Sequence, residues 1–88
     1  MRPKLGMVSI QWIRRDGQPM LMLQHALKLA PSAIALPQSL AMLPLLCDGT
    51  RDIDALRASL IVRAGVRISQ DALAQVVQQM DEALLFEN

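Results

Sequence analysis

The stretch at residues 45–53, Leu-Leu-Cys-Asp-Gly-Thr-Arg-Asp-Ile, constrains the fold of this chain more than any other. Gly49 follows an apolar run and can adopt the left-handed conformation that closes a helix. Thr50 can cap the next helix with its hydroxyl, while Asp52 and Asp54 place negative charge at the positive end of that helix's dipole. The stretch therefore predicts two helices held at an angle by a tight corner.

Length and composition limit the chain to one small domain. It has 88 residues, of which 52% are hydrophobic, a high share for a domain of this size. Either the core is dense, or part of the apolar surface is normally covered by a partner or by more chain, and both alternatives stay open. The net charge of +1 is too small to attract nucleic acid or an anionic membrane strongly.

The cellular compartment is predicted from the cysteine usage and from the apolar runs. Cys47 is the single cysteine and cannot form an internal disulfide, which fits the reducing cytoplasm. The first residues lead into no long apolar segment of the kind found in secretion signals. The longest apolar run, at residues 33–47, is interrupted by prolines and falls short of the ~20 residues of a membrane span. We expect a cytoplasmic protein that does not enter a membrane.

Three short strands are predicted in the N-terminal half, at about residues 7–13, 20–24 and 32–36. The first alternates between apolar and polar residues, with Val8, Ile10 and Trp12 on the side expected to be buried. The Asp-Gly pair at 16–17 predicts a tight turn into the second strand. The third is expected to end before a proline, because the residue before proline avoids the helical region.

Three helices are predicted to follow, at about residues 37–47, 51–64 and 70–83. Pro37 suits the first position of its helix, whereas Pro44 should kink that helix. Ser69 is the expected N-cap of the third helix, which has the clearest apolar stripe in the chain. That stripe consists of Leu73, Val76, Val77, Met80 and Leu84. A hairpin, a third strand and three helices predict an α+β, winged-helix-like domain.

The corner at residues 45–53, the amphipathic helix after it and the final Glu-Ala-Leu-Leu at 82–85 resemble the PqqD-like family. Members of this family are the peptide-recognition domains of systems that modify ribosomal peptides. Residues 16–20, Asp-Gly-Gln-Pro-Met, add a resemblance to a small domain that precedes the Memo-like domain in some bacterial proteins. Those proteins belong to a gene set with a radical-SAM enzyme. The histidine cluster of a Memo-like metal site has no counterpart in this sequence, so the resemblance implies no activity.

The resemblance implies a binding module that adds a peptide as a strand beside its third strand, in a groove walled by the last helix. On this chain the implied peptide-binding residues are Ser32, Ala33, Ile34, Ala35, Leu36, Gln75 and Gln79. The expected partner is a peptide or protein, including a radical-SAM or Memo-like protein, or a second copy of the chain in a homodimer. The chain could also be a docking domain of a larger protein of that gene set.

The residues themselves predict no catalytic group, metal or cofactor. His25 is the only histidine and is expected at the surface or in a turn, while Cys47 is expected to be buried. A DNA-binding winged helix is the alternative function. The third helix has only acids as its charged residues, so we expect no nucleic-acid partner. The arginines of the second helix, Arg57 and Arg63, together with Arg51, keep that alternative open.

Overall fold

The computed structural model describes residues 2–27 and 33–87 and confirms the α+β fold class. A three-stranded antiparallel sheet is followed by three helices. The strands are β1 (Val8–Arg15), β2 (Gln18–His25) and β3 (Ile34–Pro37), and the helices are α1 (Leu43–Leu46), α2 (Ile53–Ala64) and α3 (Gln70–Glu82). A short 3₁₀ turn, Gln38–Leu40, lies between β3 and α1.

The sheet has the order β1-β2-β3, so β2 is central and the other two strands form the edges. Asp16 and Gly17 form the two-residue loop between β1 and β2, and both have positive φ angles, 53° and 78°. This is the backbone that a type I′ hairpin requires, and Asp-Gly is among its preferred sequences. The pairing of β1 with β2 runs without interruption from Arg15 opposite Gln18 to Val8 opposite His25.

The core lies between one face of the sheet and the helices. β2 contributes Leu21 and Leu23 to it, and β3 contributes Leu36. The largest fully buried side chains are Leu23, Leu43, Leu56, Leu60, Leu73, Met80 and Leu85. The predicted stripe of α3 is buried at Leu73, Val77 and Met80, which confirms that the helix packs through this side.

The predicted first helix is broken into two pieces. The 3₁₀ turn ends at Leu40, and α1 begins at Leu43 with Pro44 in its first turn. Pro44 has no N–H to give to the carbonyl of Leu40, and its ring would collide with that carbonyl in a continuous helix. A new helix that starts around Pro44 avoids both costs, because the first turn of a helix needs no such bond. The prediction of one kinked helix at 37–47 was therefore wrong.

The corner after α1 forms as predicted, but with different capping. Gly49 has a φ of 87°, in the left-handed region, and the α2 N-cap is Asp52, whose side chain accepts a bond from the Ala55 N–H at 2.9 Å. The hydroxyl of Thr50 instead donates to Asp48. The prediction of Thr50 as the cap was wrong, because α2 begins two residues later than predicted and Asp52 occupies the N-cap position.

The two ends of the described chain meet at this corner. The Leu5 N–H donates to the Cys47 carbonyl at 2.8 Å, and the Gly6 N–H donates to the Leu85 carbonyl at 2.8 Å. Leu84 was predicted on the buried stripe of the third helix, but it lies beyond α3 with a φ of 59° and is exposed. The left-handed residue reverses the chain, and this reversal brings Leu85 into the core.

Candidate binding site at the edges of the sheet

The direction of the backbone groups at each sheet edge follows from the hairpin. In a two-residue hairpin the flanking residues, Arg15 and Gln18, form a hydrogen-bonded pair, and bonded pairs then alternate along the ladder. The odd-numbered residues of β1 therefore bond to β2, and the even-numbered residues turn their N–H and C=O groups outward. The same alternation carried across β2 makes Ile34 and Leu36 the residues of β3 that bond to β2.

Ala35 is consequently the residue in the middle of β3 whose N–H and C=O point away from the sheet. No other strand in residues 2–27 and 33–87 pairs with this side of β3. Pro37, predicted to lie just beyond the strand, is its last residue, opposite Met20. Proline has no N–H to offer to a neighbouring strand, so the outward edge of β3 is short.

A groove of about 300 Å³ runs between this edge and α3. Its lining residues are Ala33, Ile34, Ala35, Gln79 and Glu82. Four of the residues predicted for peptide binding therefore come together, three from the strand side and Gln79 from the helix. Gln79 and Glu82 both line the groove because they lie three residues apart on α3, and residues at this spacing share one face of a helix.

Two of the remaining predicted residues, Leu36 and Gln75, do not line the groove. Ser32 lies outside the described residues. Leu36 is in the core with 2% of its surface exposed, because its side chain points to the sheet face that the helices cover. Gln75 is exposed on α3 but does not contribute to the groove lining.

Glu82 makes the groove acidic. It is the one charged residue in the lining, and its Oε1 accepts a bond from the Gln78 side chain at 3.3 Å. Asp81 is its neighbour, and the last turn of α3 contains no basic residue. Both carboxylates therefore lie at the negative end of the helix dipole, where a cation would be stabilised. Neither takes part in an ion pair within the described part of the chain.

The corner at residues 47–52 is polar but does not form a reaction site. Hydrogen bonds from Thr50 and the nearby Arg51 guanidinium lower the pKa of Asp48 from its ordinary value of 3.8. Arg51 also donates to the Leu46 carbonyl at 3.3 Å, so it closes the end of α1. Burial, with a smaller contribution from the charge of Asp48, raises the pKa of the Cys47 thiol to about 11. The thiol is therefore a core group, as predicted.

His25 was expected at the surface or in a turn, but it is the last residue of β2 and is buried. Its Nδ1 accepts a bond from the Leu27 N–H at 3.0 Å. Within residues 2–27 and 33–87, no three His, Cys, Asp or Glu side chains are grouped as metal ligands. In the same residues, no helix combines the length and apolar character needed to cross a lipid bilayer.

The sequence prediction missed the surface beside the other edge of the sheet. Ile10 and Trp12 were expected in the core but are exposed, because the helices cover β2 and β3 and stop short of β1. Two apolar grooves lie there, of about 700 Å³ and 220 Å³, and both are lined by Trp12, Ala41 and Leu45. The signal available in the sequence was Leu45, which follows the buried pair Leu43 and Pro44 and so falls on the opposite side of a helical turn.

Comparison with known proteins provides no assignment for this arrangement. No family model, no curated protein and no solved structure matches the chain.

Proposed function

We propose that this protein is a non-catalytic module that captures an extended segment of a peptide or protein by strand addition at β3. The guest segment would lie between β3 and α3 and continue the sheet. The observation that carries the proposal is the groove along the outward edge of β3, with Ala35 on one wall and Gln79 and Glu82 on the other.

The two walls provide the two kinds of recognition that strand addition needs. Outward backbone groups at Ala35 give affinity without regard to the guest's sequence. Side chains along α3 give specificity, because alternate guest side chains would point toward the helix. Gln79 can donate and accept hydrogen bonds there. The small side chains of Ala33 and Ala35 leave room for a guest backbone to approach.

The charge of the groove favours a neutral or basic guest. A Lys or Arg side chain passing Glu82 gains an opposite charge and offsets the unfavourable position of the carboxylate at the helix end. An acidic guest would face Glu82, whereas Asp81 lines a separate groove between α2 and α3. The same acids argue against a nucleic-acid partner, since α3 offers no cation to a phosphate backbone.

The resemblance to the PqqD-like family supports this proposal, because strand addition at the third strand is what that family's function implies. We propose, on the same ground, a partner encoded with a radical-SAM or Memo-like protein. A reducing cytoplasm is the proposed compartment, in keeping with the single buried cysteine.

Selection of binding peptides from a random library of displayed segments about eight residues long, an ordinary strand length, tests the proposal. Titrating a selected peptide into ¹⁵N-labelled protein should shift the amide resonances of Ala33, Ala35 and Gln79. Ala35→Pro should weaken binding roughly tenfold, because it removes a donor that faces the guest while leaving the bonds from β3 to β2.

The matched control is Ile10→Pro, which removes an outward donor in the same way from the other edge of the sheet and should leave peptide affinity unchanged. Circular dichroism would verify that both variants keep their helices. Failure to select any peptide, or resonance shifts confined to α2, would contradict strand addition at β3.

A further inference from the structure

β1 lacks the features by which proteins protect an edge strand. Such strands are normally short, bulged, interrupted by proline or charged along their length. β3 is short and ends in Pro37, but β1 has eight residues in regular register and no proline. Its charges, Arg14 and Arg15, are confined to the end next to the hairpin turn.

The backbone of β1 is also available for pairing. The alternation derived from the hairpin directs the N–H and C=O groups of Val8, Ile10, Trp12 and Arg14 outward. No strand in the described residues pairs with that side. At about 3.4 Å per residue, β1 is about 27 Å long.

The sheet face beside this edge is apolar and largely uncovered. Trp12 has 57% of its surface exposed and Leu45 75%, although large apolar side chains are usually buried. These two side chains flank both apolar grooves, and no charged residue lines either groove. A contiguous apolar surface next to an open edge is typical of a protein interface.

We propose that β1 pairs with β1 of a second copy of this chain. The two strands run antiparallel about a twofold axis perpendicular to the sheet, so that one sheet continues through both copies. Side chains on the helix-covered face of each copy then lie on the same side. Trp12, Ile10 and Leu45 of the two copies fill the space between their helical layers.

Symmetry and charge favour a second copy as the occupant. A twofold axis brings the same surface of both copies together, so this surface must be complementary to itself. An uncharged apolar surface does so, whereas the acidic groove beside β3 would bring carboxylates together. Because only alternate residues direct their backbone groups outward, Trp12 lies opposite Trp12 or Ile10 of the second copy, and either arrangement makes a favourable cross-strand pair.

The arginines of the hairpin favour the antiparallel arrangement. Parallel pairing would place Arg14 and Arg15 beside Arg14 and Arg15 of the second copy, so that like charges lie close together. In antiparallel pairing about Trp12, Arg14 lies opposite Ile10 of the second copy. The two Arg14 residues are then about 14 Å apart, beyond the ~8 Å over which charges interact at physiological salt.

The size of the surface is close to the lower end of the range for a standard protein interface. The eight residues of β1 and the linings of the two grooves together approach the ~20 residues that each side of a standard interface contributes. Aromatic side chains at the centre of such an interface usually carry much of its binding energy. Trp12 occupies that central position.

Sedimentation velocity combined with tryptophan fluorescence tests the proposal. Trp12 is the only tryptophan of the chain, so its emission reports directly on this interface. Between about 1 μM and 1 mM protein, the sedimentation coefficient should rise to that of a dimer and the emission should move to shorter wavelengths. Ile10→Lys should weaken dimerisation about 30-fold or more, because it buries a charge in the interface between the two copies. The variant keeps Trp12, so its fluorescence still reports on dimerisation.

Leu45→Lys provides an independent variant on the α1 side and should have the same effect. Val62→Lys is the matched control, since it also replaces an exposed apolar side chain but lies on α2 outside both grooves. It should dimerise like the original chain. The proposal is overturned by a protein that stays monomeric with constant emission. A dimer that survives both Ile10→Lys and Leu45→Lys, or one that Val62→Lys disrupts equally, also overturns it.

Discussion

The two edges of the sheet differ in almost every property that governs strand pairing. β3 has four residues, ends in proline and faces α3 across an acidic groove. β1 has eight residues, no proline and an apolar face without a charged lining. A narrow, charged edge can select one guest among many, whereas a long, regular edge with its charges at one end pairs well in the antiparallel direction with another like itself. On this ground we propose selective capture at β3 and self-association at β1.

The difference originates in how far the helical layer extends. The helices pack on the inner face of β2 and β3, where Leu21, Leu23 and Leu36 are buried. They leave Ile10 and Trp12 uncovered on the same face of β1. The alternating pattern of β1 is therefore that of a core strand, but the tertiary structure places it at the rim. This explains part of the high hydrophobic content of so short a chain.

The largest expected effect is a difference in unfolding free energy between a variant of β3 and a variant of β1. Leu36→Ala should cost about 3 kcal/mol of unfolding free energy, because the side chain is almost fully buried and its removal leaves a cavity. Trp12→Ala should cost about 1 kcal/mol or less in the monomer, since more than half of the larger side chain is already in water. Urea unfolding at low protein concentration measures both. Equal losses would show that the edge of β1 is part of the core after all.

A second prediction uses the Cys47 thiol as a probe of the core between the edges. With a pKa raised to about 11, the thiol is almost entirely protonated at neutral pH, so alkylation should be at least ~100-fold slower than in unfolded protein. Leu36→Ala should accelerate alkylation by up to about 100-fold, in proportion to its loss of stability. Trp12→Ala should change the rate by no more than about fivefold. Rapid alkylation of the original chain would contradict the buried position of Cys47.

The smallest expected effect concerns Asp48, which lines neither the β3 groove nor the Trp12 grooves. The pKa of Asp48 is lower in the folded chain than its ordinary value of 3.8, so its stabilising contribution is present above that value. The contribution is lost as the pH falls through the folded pKa. The stability difference between the original chain and Asp48→Asn should therefore be small at pH 7 and disappear at strongly acidic pH.

Resonances of Ala35 and Trp12 should be unaffected by Asp48→Asn at neutral pH, because Asp48 lines none of the grooves beside the two edges. Amide spectra of the variant, compared with urea unfolding as a function of pH, check both statements. A stability difference that grows on acidification would have the wrong sign for a carboxyl group with a lowered pKa.

Short-range signals determined most of the secondary structure of this chain. Asp16 and Gly17 fix the type I′ turn because both residues tolerate positive φ, and Gly49 fixes the corner for the same reason. Ser69 caps α3 as predicted, accepting the Ala72 N–H at 3.1 Å. These are local matters of backbone conformation and hydrogen bonding, which neighbouring residues decide. The α+β class and the order of its elements follow from them.

The candidate site was only partly accessible to the sequence. Ala33, Ile34, Ala35 and Gln79 were predicted together through a family resemblance, and they do line one groove. Which backbone groups of β3 point outward depends on its register with β2, because a shift of one residue exchanges Ala35 with its neighbours. Glu82 joined the site only through the packing of α3 beside β3.

Tertiary structure alone decided which apolar residues are covered. Ile10 and Leu23 are cross-strand partners with similar side chains, yet one is exposed and the other is fully buried. Their local patterns do not distinguish them, because burial depends on where distant helices come to rest. Pro44 lies in the first turn of the four-residue α1 and interrupts a continuous helix from the 3₁₀ turn. The sequence by itself determined the turns and caps, whereas the packing of the helices determined the surfaces available to partners.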